Sequence, residues 1–194
     1  MAKKIAVVCA NGCEEIEALT PVDVLRRLGQ EVDIVGLSGQ EITGSHQIKF
    51  KADRLLDASL LDYDMVVLPG GLPGADYLRD SELLGDLLKQ RHQAGKWNAA
   101  MCAGPKALAK NGLLDDTDYT AYPEIDQEVA NQVKEARFHD DQLVIVDQKQ
   151  KVITSRGPAT ALAYAYQIAQ VLGIETQSLE EGMLYTFLQA HIND

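Results

Sequence analysis

The chain has 194 residues, 46% apolar and 24% charged, the balance of a soluble globular protein large enough for one good core, which predicts a single domain over 1–194. Its net charge is −11 with no run of Lys or Arg, so sequence-independent nucleic-acid binding is not expected. The apolar stretch at Met1–Ala10 is too short for a leader, Glu14 and Glu15 follow it, and no other stretch approaches membrane-spanning length; a cytoplasmic protein without membrane contact is expected.

Lys4–Ala10 is a continuous apolar run rich in β-branched residues, as in a strand buried on both faces. Asn11-Gly12 breaks it, and Glu14–Leu28 reads as a helix stopped by Gly29, with Pro21 expected to kink or delay its regular part. Glu31–Leu37 is the next strand, and Gln40–Ala52, with Gly44-Ser45 at its centre, reads as an appended hairpin. Asp64–Leu68 is another buried strand ending in Pro69-Gly70-Gly71-Leu72-Pro73-Gly74. Ser81 caps an amphipathic helix running to Ala94, and Gly95 ends it. A short strand through Met101 then meets Cys102 and turns at once into a helix.

From Gly112 to about Gln132 the text is polar and irregular. Gln142–Asp147 and Lys151–Ser155 are strands, Gly157-Pro158 opens a helix with Ala161, Leu162, Ala165, Ile168 and Val171 on its apolar face, and Leu179–Ile192 reads as one last helix. Strands alternating with helices predict a flavodoxin-like three-layer α/β/α sandwich with a mostly parallel sheet. The ligand site in such sheets lies beyond the C-terminal strand ends, which selects the loops Asn11–Glu17, Pro69–Gly74 and Cys102–Pro105.

Cys102 sits among Ala99, Ala100, Ala103 and Gly104, the crowding of small residues that a nucleophile elbow needs. A thiol above a helix N-terminus is expected to ionise more readily than a free one, whereas the plainer alternative is an inert core cysteine. The three cysteines, with no Cys-x-x-Cys spacing, fit free thiols in a reducing compartment. Gly70-Gly71 reads either as a tight turn or as a backbone that presents an N–H to an oxyanion. Glu14, Glu15 and Glu17 share the first helical turn; they are dipole partners facing water, or one is turned inward, neutral, toward the cysteine. None of His46, His92, His139 and His191 falls in a strand-end loop, so a Cys-His dyad is poorly supported, and the sequence shows no ligand cluster for a metal.

The segments Gly12-Cys-Glu-Glu-Ile-Glu17, Pro21-Val-Asp-Val-Leu-Arg-Arg-Leu-Gly29, Val66-Val-Leu-Pro-Gly-Gly71, Met101-Cys-Ala-Gly-Pro105 and Thr154-Ser-Arg-Gly-Pro158, in order from Lys3 to Leu172, resemble the ThiJ/PfpI superfamily, in the branch of the human parkinsonism-associated protein deglycase. The resemblance implies a class I glutamine amidotransferase-like fold, a homodimer, and no cofactor or metal. It places Cys102 on the reactive elbow cysteine, Glu17 on a protonated glutamate that hydrogen-bonds it, and Gly71 and Ala103 on backbone N–H donors near the sulfur. Arg27 and Arg156 match arginines near the site or the dimer contact. It implies glyoxalase action without glutathione, deglycation of methylglyoxal- and glyoxal-modified molecules, or an oxidation-sensing chaperone. Two departures stand out: Tyr122 occupies a position where the human-type branch has histidine, and Ala103 replaces the histidine of the protease-like branch, which argues against peptidase activity. Cys13 reads as an isolated thiol or as a resolving partner for oxidised Cys102.

Overall fold

In the computed structural model, which describes residues 1–192, strand β1 (Lys4–Cys9) sorts its side chains to two faces. Ile5, Val7 and Cys9 join one apolar cluster, and Ala6 and Val8 join another on the opposite side. That double burial, worth about 1.5–3 kcal/mol for each large side chain, is why the run is continuously apolar. Next come α1 (Glu15–Arg27), β2 (Glu31–Gly36), the hairpin β3 (Glu41–Thr43) and β4 (Lys49–Lys51), and a short β5 (Arg54–Leu55). β6 (Met65–Leu68), α2 (Gly74–Asp80), α3 (Glu82–Gln93), β7 (Trp97–Met101) and α4 (Pro105–Lys110) form the middle of the chain. After them stand β8 (Asp118–Tyr119), α5 (Ile125–Ala130), β9 (Arg137–Phe138), β10 (Val144–Asp147), β11 (Val152–Ser155), α6 (Ala161–Val171), α7 (Gln177–Gly182) and α8 (Tyr185–His191).

The main sheet has the order β10-β11-β7-β6-β1-β2-β5, parallel throughout except where β10 runs antiparallel to β11. Helices α1 and α6 cover one face through Ala18, Val22, Leu25, Ala161 and Ile168. Helices α2 to α5 cover the other through Leu78, Leu84, Leu88, Leu108 and Val129. The expected three-layer arrangement with a mostly parallel sheet is thus the one observed.

Several local expectations need correction. Helix α1 runs unbroken through Pro21, which is buried; the missing N–H costs only the bond that the carbonyl of Glu17 would have accepted. The polar stretch after Gly112 carries a two-stranded parallel pair, β8 with β9, and α5. The tail is two short helices, because Leu184 adopts φ +59° between them. The segment after Gly157 starts as a 3-10 turn over Pro158–Thr160 before α6.

Arg91, 1% exposed, fixes the approach to β7 from α3. Its guanidinium donates to the carbonyls of Leu60 (2.7 Å), Tyr63 (2.8 Å) and Trp97 (2.8 Å) and to Oδ1 of Asn98 (3.1 Å). Burial lowers its pKa to about 10, and it stays charged at neutral pH.

Candidate active site

Three loops meet beyond the C-terminal ends of β1, β6 and β7, and backbone hydrogen bonds lock them together. The N–H of Glu14 donates to the carbonyl of Gly70 at 3.0 Å, the N–H of Cys102 to the carbonyl of Ser155 at 3.0 Å, and the N–H of Tyr122 to the carbonyl of Cys102 at 3.1 Å. Cys102 has φ +59°, the left-handed conformation a nonglycine residue rarely adopts, and its side chain is half-buried. Gly104 makes the turn possible: a Cβ there would lie 2.5 Å from the carbonyl oxygen of Leu68. Gly70 lies between the reacting parts, since a Cβ on it would sit 2.7 Å from Cβ of Cys102 and 2.8 Å from Oε2 of Glu17.

The two glycines of this turn divide the work. The N–H of Gly70 donates to Oε2 of Glu17 at 2.7 Å, while the N–H groups of Gly71 and Ala103 act on the Cys102 sulfur. Gly71 has φ +84°, and a Cβ on it would lie 2.2 Å from the backbone N of Glu14, so no larger residue fits that approach. Glu14, at the N-cap of α1, accepts from the N–H of Glu17 at 2.8 Å, which sets the first turn so that Glu17 points inward.

Glu17 is 0% exposed, and burial raises its pKa to about 7, against the hydrogen bonds from Cys102 and Gly70. The nearby Glu14 charge adds to the rise. Oε1 of Glu17 has no partner of good hydrogen-bond geometry. The expectation that the helix start would ease ionisation of Cys102 is not met: burial and then the Glu17 carboxylate push the thiol upward, and the N–H groups of Gly71 and Ala103 offset this only in part. Helix α4 spans only Pro105–Lys110, too short for a strong dipole. Thiolate at Cys102 therefore requires that Glu17 hold the proton, and the two groups titrate as a pair.

Cys102, Glu17, Gly71 and Ala103 lie together at this junction. Tyr122 joins them at the rim, 49% exposed, its ring lying over Gly157, where a Cβ would meet Cδ2 at 3.3 Å. Arg156 turns away, its guanidinium donating to the carbonyl of Asp140 at 2.6 Å, with the Phe138 ring 6.0 Å off. Arg27 sits at the far end of α1, paired with Asp23 at 2.7 Å, and does not reach Cys102 within this chain.

Cys9 and Cys13 are 1% and 0% exposed, and the Cys13 thiol acts on Cys9, which burial also pushes up. Such a buried Cys13 corrects the idea of an isolated thiol. Histidine enters in one unforeseen way. Nδ1 of His46 lies 2.8 Å from Oε2 of Glu15 and 3.8 Å from Oε1 of Glu14. These residues bring ligand-type atoms within 4.8 Å of one another, so the fold makes a cluster that the sequence did not show. Its Glu15 oxygens already accept from the N–H groups of His46 (2.8 Å) and Ile48 (3.4 Å), and the cluster pins the β3–β4 hairpin to α1. His139 is engaged by Asp118 at 2.8 Å and His191 by the Phe187 carbonyl at 2.8 Å, and no histidine acts on Cys102.

The sequence pattern of the DJ-1/PfpI family matches residues 3–171, every strand of the sheet and on to the end of α6. The chain belongs to the DJ-1/PfpI family. Protein dj-1beta of Drosophila melanogaster is 37% identical over 191 residues, covering 96% of this chain and 100% of that protein. Its crystal structure superposes with a TM-score of 0.87 over 95% of this chain and 98% of that one. A glutathione-independent glyoxalase, DJR-1.2 of Caenorhabditis elegans, is 33% identical over 160 residues, 82% of either chain. The structure of oxidised Toxoplasma gondii DJ-1 is similar at 34% identity and a TM-score of 0.81, covering 96% of this chain and 98% of that one. Among the described residues no helix is long and apolar enough to cross a membrane. Within this DJ-1/PfpI chain, sequence reading named Glu14 and Gly70 but not their roles here, Glu14 as the acceptor for the N–H of Glu17 and Gly70 as the donor to its carboxyl.

Proposed function

We propose that the chain is a cysteine-dependent enzyme of small reactive aldehydes, acting as a glyoxalase without glutathione or on early glycation adducts. The observation that carries this reading is a half-buried thiol facing a buried carboxyl whose pKa is about 7, with two backbone N–H groups on the sulfur. The similarity to a glutathione-independent glyoxalase supports it. In the reactive form Glu17 holds the proton and Cys102 is thiolate. The sulfur attacks the aldehyde carbon of methylglyoxal, forming the S–C bond of a hemithioacetal. The N–H groups of Gly71 and Ala103 hold the new oxyanion until it takes the proton of Glu17. The resulting carboxylate removes the C–H proton from that carbon to give an enediolate, and the hydroxyl proton passes to the neighbouring oxygen. Glu17 then returns its proton to the adjacent carbon, leaving a lactoyl thioester that water cleaves to lactate and free thiol. At a hemiaminal-type adduct the sulfur would instead displace the amine from the tetrahedral carbon, the S–C bond forming as the C–N bond breaks and the amine leaving with the proton of Glu17, to give the same hemithioacetal.

The purified protein, freed of glutathione and added metal, is expected to convert methylglyoxal to lactate in equal amounts. Consumption without lactate, or no consumption by fully reduced protein, overturns the reading. Tyr122 in place of a histidine removes one proton carrier from the rim, so slow turnover is expected.

A second reading, a redox-responsive chaperone-like protein, is favoured by the exposure of Cys102 beside a carboxyl able to hydrogen-bond an oxidised sulfur. Mild peroxide is expected to add one or two oxygens to Cys102 and none to the buried Cys9 and Cys13. Oxygen spread evenly over all three sulfurs counts against this role. We further propose a homodimer, supported by the cleft lined by Leu19, Val24, Leu162, Met183 and the exposed Ile16, and a cytoplasmic location.

A further inference from the structure

Among the described residues, four buried side-chain atoms lack a hydrogen-bond partner: Oε1 of Glu17, the hydroxyl of Tyr164, Oγ1 of Thr120 and Nδ1 of His92. A buried polar atom without a partner is costly, so each such group asks for an explanation. His92 is on α3 and belongs to the opposite face of the sheet from α1 and α6. Glu17 and Tyr164 stand on α1 and α6, which pack against each other on one face. Both are 0% exposed. One is an acceptor without a donor, and the other is a donor without an acceptor.

Tyr164 lies in an apolar cluster with Cys13, Ala18, Met101 and Ile153, where a phenylalanine would pack equally well. Its hydroxyl thus has no packing use. Burial, and then the Glu17 charge, raise its pKa, so it remains a neutral donor. The titratable groups around the two are Glu14 at the N-cap of α1, Cys102 on the elbow, and the Cys9 and Cys13 thiols of the same cluster. Of these, Cys102 faces the Glu17 carboxyl and Glu14 accepts from the N–H of Glu17, yet Oε1 of Glu17 still lacks a partner of good geometry.

We propose that Tyr164 is a positioning residue for the Glu17–Cys102 pair, its hydroxyl donating through one interior water to Oε1 when the carboxyl is ionised. It stabilises the state with carboxylate and thiol over the state with carboxylic acid and thiolate, and so restrains the reactivity of Cys102. The inference rests on reading Glu17 and Cys102 as a coupled pair, and its test reads their protonation and not aldehyde turnover.

The test is the pH dependence of Cys102 alkylation by iodoacetamide, followed by mass spectrometry, in the wild type, Tyr164→Phe, Glu17→Gln and the double variant. Tyr164→Phe is expected to move the midpoint to lower pH and to speed alkylation at pH 7 about 3- to 10-fold, an effect absent in the Glu17→Gln background. An unchanged profile in Tyr164→Phe, or the same acceleration without Glu17, overturns the proposal. A shift seen in a protein without methylglyoxal turnover supports it and overturns only the aldehyde reading. In wild-type protein labelled at tyrosine 13Cζ, the Tyr164 resonance is expected to follow the titration of Glu17 near pH 7 and to stand still in Glu17→Gln. A resonance that ignores that titration likewise overturns it.

Discussion

Cys102→Ser protein is expected to turn over methylglyoxal at least about 10³-fold more slowly than the wild type, with the fold intact. Serine is slightly smaller than cysteine and can take the same φ of +59°, so the elbow is little disturbed. Glu17, Gly71 and Ala103 all remain. What disappears is the nucleophile, because a carboxylate beside the site is far too weak a base to ionise an alcohol. Lactate formation under saturating substrate measures the loss, and far-UV circular dichroism with thermal unfolding checks the fold. Turnover within about tenfold of the wild type would sink the assignment of Cys102 as the attacking group.

Glu17→Gln is expected to lower kcat by about 10²–10⁴-fold, the usual contribution of a positioned acid-base group. Its effect on stability has the opposite sign at high pH. The Glu17 carboxyl is raised from 4.5 to about 7 in the folded protein, so between those values the native state binds the proton and the unfolded chain does not. That contribution is complete below about pH 4.5 and is lost as pH rises through about 7, a swing of about 3 kcal/mol. Glutamine imitates the protonated acid at every pH. Denaturant unfolding should find the two proteins alike near pH 4.5 and the glutamine variant ahead by up to about 3 kcal/mol near pH 8. A wild type that gains on the variant as pH rises would contradict a buried, proton-holding Glu17.

The layered fold was readable because its strands are apolar on both faces: β1 and β6 bury nearly every side chain, and such runs have few other uses. The elbow was readable from the small residues flanking Cys102. The choice of Glu17 came from the family resemblance and not from the residues themselves. Glu14, Glu15 and Glu17 are equal in a linear text, and they separate only when Glu14 caps the helix, Glu15 latches the hairpin and Glu17 turns inward. The proton balance of the site was misjudged for a related reason. A helix start suggested easy ionisation, whereas burial and the facing carboxyl, which depend on three distant loops, dominate. Short elements such as α2 and the β8–β9 pair escaped because they span too few residues to show a period. Tyr164 escaped because a tyrosine in an apolar helix reads as core, and only the absence of a partner for its hydroxyl marks it out.

The bond from the N–H of Cys102 to the carbonyl of Ser155 also bears on how the site comes into being. β7 pairs on one side with β6, made earlier in the chain, and on the other with β11, made some fifty residues later. While the chain is being synthesised, Cys102 emerges on a strand with one bare edge, and the partner for its N–H does not yet exist. Only when Val152–Ser155 slots in beside β7 is the strand closed and the thiol set against Glu17. The backbone of the reactive cysteine is thus completed by a segment remote in the chain, and a polypeptide that stops before Ser155 lacks that bond.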